Sequence, residues 1–277
     1  MTAPVLGAVD LTALAGGTAR FASVLARLAG ARVTLLHVRE PGEPEEEVAE
    51  RLASLARAVA GADLEVTTES AQGDPAEAIV RRAAALGASA IVLGTHGGRG
   101  LERLMLGSVA ETVLHRAGRP VATLRGPEHA AGPIRRIVCG VDLEDTAPLL
   151  EATRLAALSS AELVAVHAVK DLPEEGVRGL VPASYAPALL EEARRRVGRT
   201  VSTVTLQPER VRTLVVPGSP SRALVRIAGE ESADLLVVGV HRHVLGSTTH
   251  PVVRGAHCPV LTIPPGGAGA VGGREIA

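Results

Sequence analysis

Val5-Leu6-Gly7-Ala8-Val9-Asp10 and Ile137-Val138-Cys139-Gly140-Val141-Asp142 are two copies of one pattern, an apolar run that ends in Val-Asp. The match continues downstream of each copy. Val33-Thr34-Leu35-Leu36-His37-Val38 pairs with Leu163-Val164-Ala165-Val166-His167-Ala168, and Gly73-Asp74-Pro75 with Gly218-Ser219-Pro220. The spacing from Gly73 to Gly94 equals that from Gly218 to Gly239. Each span runs through a helix-like stretch into an apolar run, Ala90-Ile91-Val92-Leu93-Gly94 or Asp234-Leu235-Leu236-Val237-Val238-Gly239. Arg119-Pro120-Val121 and Cys258-Pro259-Val260 close the two copies. A repeat this long is a duplicated domain and not a solenoid.

The expected units are residues 1–126 and 133–264, with a Gly/Pro/Ala-rich linker over 126–132 and a flexible tail over 265–277. Within the first unit, short aliphatic runs near 4–9, 31–38, 63–69, 89–94 and 120–124 read as strands. Segments of helical period near 14–29, 44–60, 75–87 and 106–117 read as helices. Continuous apolar strands imply burial on both faces, hence an α/β fold with a parallel sheet between helices. Asp74-Pro75 is a helix start: a capping carboxylate, then a proline where no N–H is needed. Sheets of this kind bind ligands beyond the carboxyl ends of their strands, where the strand order reverses.

Composition narrows the function. Of 277 residues, 46% are hydrophobic, yet Phe21 and Tyr185 are the only aromatics besides histidine. With a net charge of −1 and no basic tract, the chain lacks both the stacking platform and the electrostatic footprint of a nucleic-acid binder. No stretch approaches a membrane span, and no leader-like segment opens the chain. Two isolated cysteines, Cys139 and Cys258, suit a reducing compartment, so a cytoplasmic protein is expected. The single lysine, Lys170, sits in Val-Lys-Asp, which excludes a Walker A loop.

The chemistry concentrates after the fourth strand, in Gly94-Thr95-His96-Gly97-Gly98-Arg99-Gly100-Leu101-Glu102-Arg103-Leu104-Met105-Leu106-Gly107-Ser108. Glycines let backbone approach a ligand closely, and Gly107-Ser108 opens a helix whose free N–H groups suit phosphate. Polyphosphate can be held this way without lysine.

This Gly-x2-Gly-x9-Gly-Ser loop resembles the nucleotide loop of ATP-binding universal stress proteins, and the matching strand ends extend the resemblance over the whole chain. It implies two tandem Rossmann-like (adenine nucleotide alpha hydrolase-like) domains, each a five-stranded parallel sheet of order 3-2-1-4-5. It also implies ATP, with Mg²⁺, in the first repeat. Ala8, Val9 and Asp10 would lie beside adenine and ribose, and Val38 would touch the base. Gly94, Gly97, Gly98, Gly107 and Ser108 would line ribose and phosphates, with Val109 adding a backbone N–H. Where the family often has proline this chain has Ala8. The resemblance further implies a pseudo-dimer within the chain, joined through the last strands near Val121 and Val260; a homodimer of whole chains and protein partners are further expectations.

The second repeat departs from the pattern. In Gly239-Val240-His241-Arg242-His243-Val244-Leu245-Gly246-Ser247 the loop is shorter, and Arg242 replaces the second glycine. ATP binding is expected to be weak or absent there, despite Asp142. His241, His243, His250, His257 and Cys258 crowd this region, but a loop and the next helix need not converge, so no metal is assigned and a zinc-type site stands as the alternative. His37 and His167 read as structural or site-edge groups. With no nucleophile elbow, no His-Glu-x-x-His and no positioned base, no catalytic residue is assigned. The expected role is a nucleotide-dependent stress-response regulator with at most slow ATP hydrolysis. A nucleotide-independent scaffold and a weak ATPase are the alternatives.

Overall fold

The computed structural model describes residues 2–95, 106–126, 132–170, 185–205, 207–240 and 246–266. The first half runs β1 (Val5–Ala8), α1 (Ala15–Ala29), β2 (Val33–Arg39), α2 (Glu45–Val59), β3 (Val66–Gln72), α3 (Pro75–Leu86), β4 (Ala90–Gly94), α4 (Ser108–Arg116) and β5 (Val121–Leu124). The second repeats it: β6 (Arg136–Gly140), α5 (Ala147–Ser159), β7 (Glu162–Val169), α6 (Tyr185–Val204), β8 (Val211–Pro217), α7 (Pro220–Glu230), β9 (Leu235–Gly239), α8 (Thr249–Gly255) and β10 (Val260–Ile263). A 3₁₀ turn, Pro208–Arg210, precedes β8.

All ten strands form one sheet of order β3-β2-β1-β4-β5-β10-β9-β6-β7-β8. Each repeat therefore has the parallel order 3-2-1-4-5. The two are joined where β5 and β10 run antiparallel, with Leu261 opposite Ala122. Thr262 Oγ1 donates to the Val121 carbonyl (3.0 Å) across this seam. The duplicated chain thus gives a mixed sheet whose only antiparallel strand pair, among the described residues, is the junction of its halves.

Two cores sandwich the sheet. Ala19, Leu25 and Leu52 from α1 and α2 share one with Leu149, Leu155 and Val197 from α5 and α6. Ile79 and Val113 from α3 and α4 share the other with Leu224 and Val252 from α7 and α8. Because each core crosses the seam, burial couples the two repeats, the dominant stabilising term in a chain this aliphatic.

The third strand differs from its expected place. It begins at Val66, not near 63, because Gly61 and Leu64 close a tight turn first. It is also largely exposed and polar (Thr67, Thr68, Glu69, Ser70), as suits a sheet edge. Both edges, β3 and β8, escape the rule of burial on two faces. Asp74 does cap α3: its Oδ1 accepts from the Glu77 N–H (2.9 Å), with Pro75 in the first turn. The expected linker over 126–132 lies outside the described residues except for Gly126 and Gly132, and the expected tail lies outside them from residue 267.

Candidate functional site at the carboxyl edge of the first repeat

β1 pairs with β2 on one side and β4 on the other, Ala8 lying opposite both Leu36 and Leu93. The chain leaves β1 toward β2 through α1 on one face, and reaches β4 through α3 on the other. The strand order reverses at β1, and in sheets of this kind ligands bind beyond the carboxyl ends of the strands at that point.

Three kinds of surface meet there. The first is apolar. Ala8 belongs to the core beneath α3 and α4, and Val38 and Val109, both half-buried, pack against the same cluster. Val9 points the other way, into the core beneath α1 and α2. It thus offers only backbone to this edge, and its N–H is taken by the Leu36 carbonyl (2.9 Å).

The second is a carboxylate. Asp10 is exposed and begins the β1–α1 turn. Its Oδ1 accepts from the Thr12 N–H (3.0 Å) and the Thr12 hydroxyl (2.7 Å), the local bonding that short acidic side chains favour in turns. Both bonds fall on one oxygen, which leaves Oδ2 for a hydroxyl donor.

The third is a helix start. Gly107 caps α4 in an extended conformation and, as glycine, brings no side chain to the first amides. Ser108 is exposed in the first turn. The Gly107 N–H donates to the Thr95 carbonyl (2.8 Å), while the Thr95 N–H and hydroxyl both donate to the Leu124 carbonyl (2.8 and 3.2 Å). Buried Thr95 therefore closes the base of the glycine loop, tying Gly94 at the end of β4 to Gly107 at the start of α4. Gly97 and Gly98, with His96, Glu102 and Arg103, lie outside the described residues. Among the described candidates, Ala8, Asp10, Val38, Gly94, Gly107, Ser108 and Val109 fall along this edge; Val9 faces away.

The second repeat keeps the plan and changes its contents. Asp142 Oδ1 accepts from the Glu144 N–H (2.9 Å) as Asp10 does from Thr12. However, Gly140 stands for Ala8, Ala168 for Val38 and Val240 for Thr95. A Cβ on Gly239 would lie 2.9 Å from Pro148 Cγ and 3.9 Å from Asp145 Oδ2. The β6–α5 segment thus packs a proline and a carboxylate against the residue that matches Gly94. α8 is a seven-residue helix that begins at Thr249, beyond Gly246 and Ser247. His241, Arg242 and His243 lie outside the described residues; His257 packs on Gly229, and Cys258 is buried. No group of three His, Cys, Asp or Glu among the described residues could hold a metal ion. Nor is any described helix long and apolar enough to cross a membrane.

Sequence reading missed Thr95, Asp145 and Pro148. Thr95 lies within the quoted loop but has no glycine-like signature. The role of Pro148 depends on a strand distant in sequence.

Comparison with known proteins agrees with this architecture. Residues 1–125 and 133–264 each match the Universal stress protein family. A universal stress protein of Mycobacterium tuberculosis is 33% identical over 190 residues, covering 63% of this chain and 61% of that protein. The chain thus spans about three fifths of the length of the first curated relatives it matches. Among solved structures, a protein of Pseudomonas aeruginosa described as functionally unknown superimposes with a TM-score of 0.73 at 18% identity, covering 95% of this chain and 93% of that one. A universal stress protein of Archaeoglobus fulgidus gives a TM-score of 0.70 at 20% identity, covering 94% and 97%. At these identities the two structures speak to the fold alone.

Proposed function

Because this chain belongs to the universal stress protein family, we propose that its first repeat binds ATP with Mg²⁺ and acts as a nucleotide-dependent regulator in the stress response. One observation carries this reading. At the carboxyl edge of β1 and β4 an apolar shelf, an outward carboxylate and an uncapped helix start adjoin, with the loop between them tied at its base by Thr95 and Gly107. Each suits a different part of a nucleotide: Ala8 and Val38 the base, Asp10 Oδ2 the ribose hydroxyls, and the first amides of α4 with the Ser108 hydroxyl the phosphates.

The donor set fits a phosphate chain better than a bare metal ion. Mg²⁺ would arrive on the phosphates and neutralise part of their charge. No described side chain is placed as a base for water attack, so ligand binding and slow turnover at most are expected. Gly94, Gly97 and Gly98 would give the loop its close approach to the ligand.

The second repeat is assigned no nucleotide. Pro148 occupies the space beside Gly239, and the Asp145 carboxylate would oppose a polyphosphate. Cytoplasmic placement, protein partners and self-association of whole chains complete the proposed picture.

Titration calorimetry of nucleotide-stripped protein with ATP and Mg²⁺, beside Gly107→Val, tests the reading. One site per chain that the variant loses is the expected outcome. Two sites would overturn the assignment of the second repeat. No binding by the native chain would overturn the nucleotide reading and favour a scaffold that works without ligand.

A further inference from the structure

Asp10 is flanked by two carbonyls, and each is held by a basic side chain. His37 Nδ1 lies 2.8 Å from the Val9 carbonyl oxygen. The Arg51 guanidinium, reaching from α2, donates to the Leu11 carbonyl. His37 is nearly fully buried, and its other nitrogen, Nε2, lies 3.0 Å from Glu43 Oε2. A carbonyl only accepts, so Nδ1 carries a proton. The Glu43 carboxyl is held below the usual carboxylate range, first by the hydrogen bond from His37 and next by the Glu40 N–H. The two contacts hold the ring between the end of β1 and the β2–α2 connection.

The second repeat is an internal control. His167 Nδ1 faces the Val141 carbonyl at 3.0 Å, as His37 faces Val9. Leu11, however, is left-handed (φ 56°), a conformation that disfavours a branched side chain, whereas its counterpart Leu143 is not. The unusual turn occurs in the repeat where an arginine holds the carbonyl of that very residue. Such strain persists only where neighbours over-determine it.

We propose that His37 and Arg51 are positioning residues that clamp the carbonyls on either side of Asp10 and so fix the turn that presents its carboxylate. The consequence for binding rests on the nucleotide reading of this repeat: loosening either hold weakens affinity. Charged groups reach this place from several elements. Glu43 and the Glu40 backbone come from the β2–α2 connection, Arg51 from α2, and Asp10 from the β1–α1 turn. On β2 itself Arg39 is paired with Glu45, and opposite on β3 Ser70 is uncharged while Glu69 is paired with Arg82.

Amide NMR of the full, nucleotide-stripped chain tests the clamp without any ligand. Displaced Asp10–Thr12 amides in Arg51→Gln and His37→Phe are expected, with the amides of the matching Asp142–Glu144 turn in place; Asp10–Thr12 amides that do not move in either variant would overturn the proposal. In a parallel Mg²⁺–ATP titration each variant should bind roughly tenfold more weakly than the native chain, the size of effect expected when one hydrogen bond to a charged group is lost. Arg51→Lys, which keeps a cationic donor for the Leu11 carbonyl, should recover affinity. Native affinity in Arg51→Gln and His37→Phe despite displaced amides would overturn the proposed coupling. If the native chain binds no nucleotide while the amides behave as expected, the nucleotide reading falls and the clamp stands.

Discussion

Gly7 and Leu35 are register partners on β1 and β2, and their counterparts in the second repeat are Cys139 and Ala165. The two repeats fill the same place beneath their first helices with the volumes exchanged: nothing plus a leucine in one, a thiol plus a methyl in the other. A Cβ on Gly7 would lie 2.9 Å from Leu35 Cδ2 and 3.4 Å from Ala22 Cβ, so Gly7→Cys forces fully buried Leu35 out of its place. Overpacking of this kind costs about 1–3 kcal/mol. Leu35→Ala alone opens a cavity in a closed core and costs about 2–5 kcal/mol. Together the substitutions reproduce the packing of the second repeat, so each relieves the other. The double variant should be more stable than the sum of the single effects by about 0.5–3 kcal/mol, the range seen for coupled contacts. Urea unfolding of the four proteins under reducing conditions, with m-values compared to verify a common unfolded state, measures the coupling. Strictly additive effects would refute the idea that the two repeats are volume-swapped solutions of one packing problem.

Three further outcomes rest on named contacts. Asp74→Ala removes the cap on α3 and should cost about 1 kcal/mol, read as a lower urea midpoint; an unchanged midpoint would deny the cap any energetic role. The Glu43 carboxyl has a lowered pKa, owing first to its bond from His37, so its contribution is present above the ordinary carboxylate value and lost as pH falls through the lowered one. Unfolding midpoints of native protein and Glu43→Gln should therefore converge below about pH 4 and separate above it, where the ionised carboxylate is the stabilising form; a constant gap would contradict the assignment. Burial raises both thiols, Cys258 to about 12 with Asp234 adding to the effect, and Cys139 further still. Neither should react with a thiol reagent at pH 8 until the chain unfolds, when both should react; a fast reaction of the folded protein would show that these sites open.

Local patterns made most of the architecture readable in advance. Aliphatic runs such as Ala90-Ile91-Val92-Leu93 have no other place than a buried strand, and Asp74-Pro75 caps its helix with atoms a few residues apart. The glycine loop and Val-Asp ends could be read because their chemistry sits in contiguous residues. β3 was misplaced because an edge strand need not be apolar, so Thr67 to Ser70 carry no periodic signal.

Other features depend on residues that only the fold brings together. That the halves share one sheet through an antiparallel Ala122–Leu261 seam depends on which edges remain free once each parallel sheet is complete. The closure of the second repeat by Pro148 against Gly239, and the hold of His37, Glu43 and Arg51 on the Asp10 turn, join segments separated by whole elements. By itself the sequence determined the strands, the helices and the duplication, because each follows from periodicity and composition along the chain. The tertiary structure decided that the halves join in one sheet and that Pro148 and Asp145 lie beside Gly239, because both depend on edges and volumes brought together across strands.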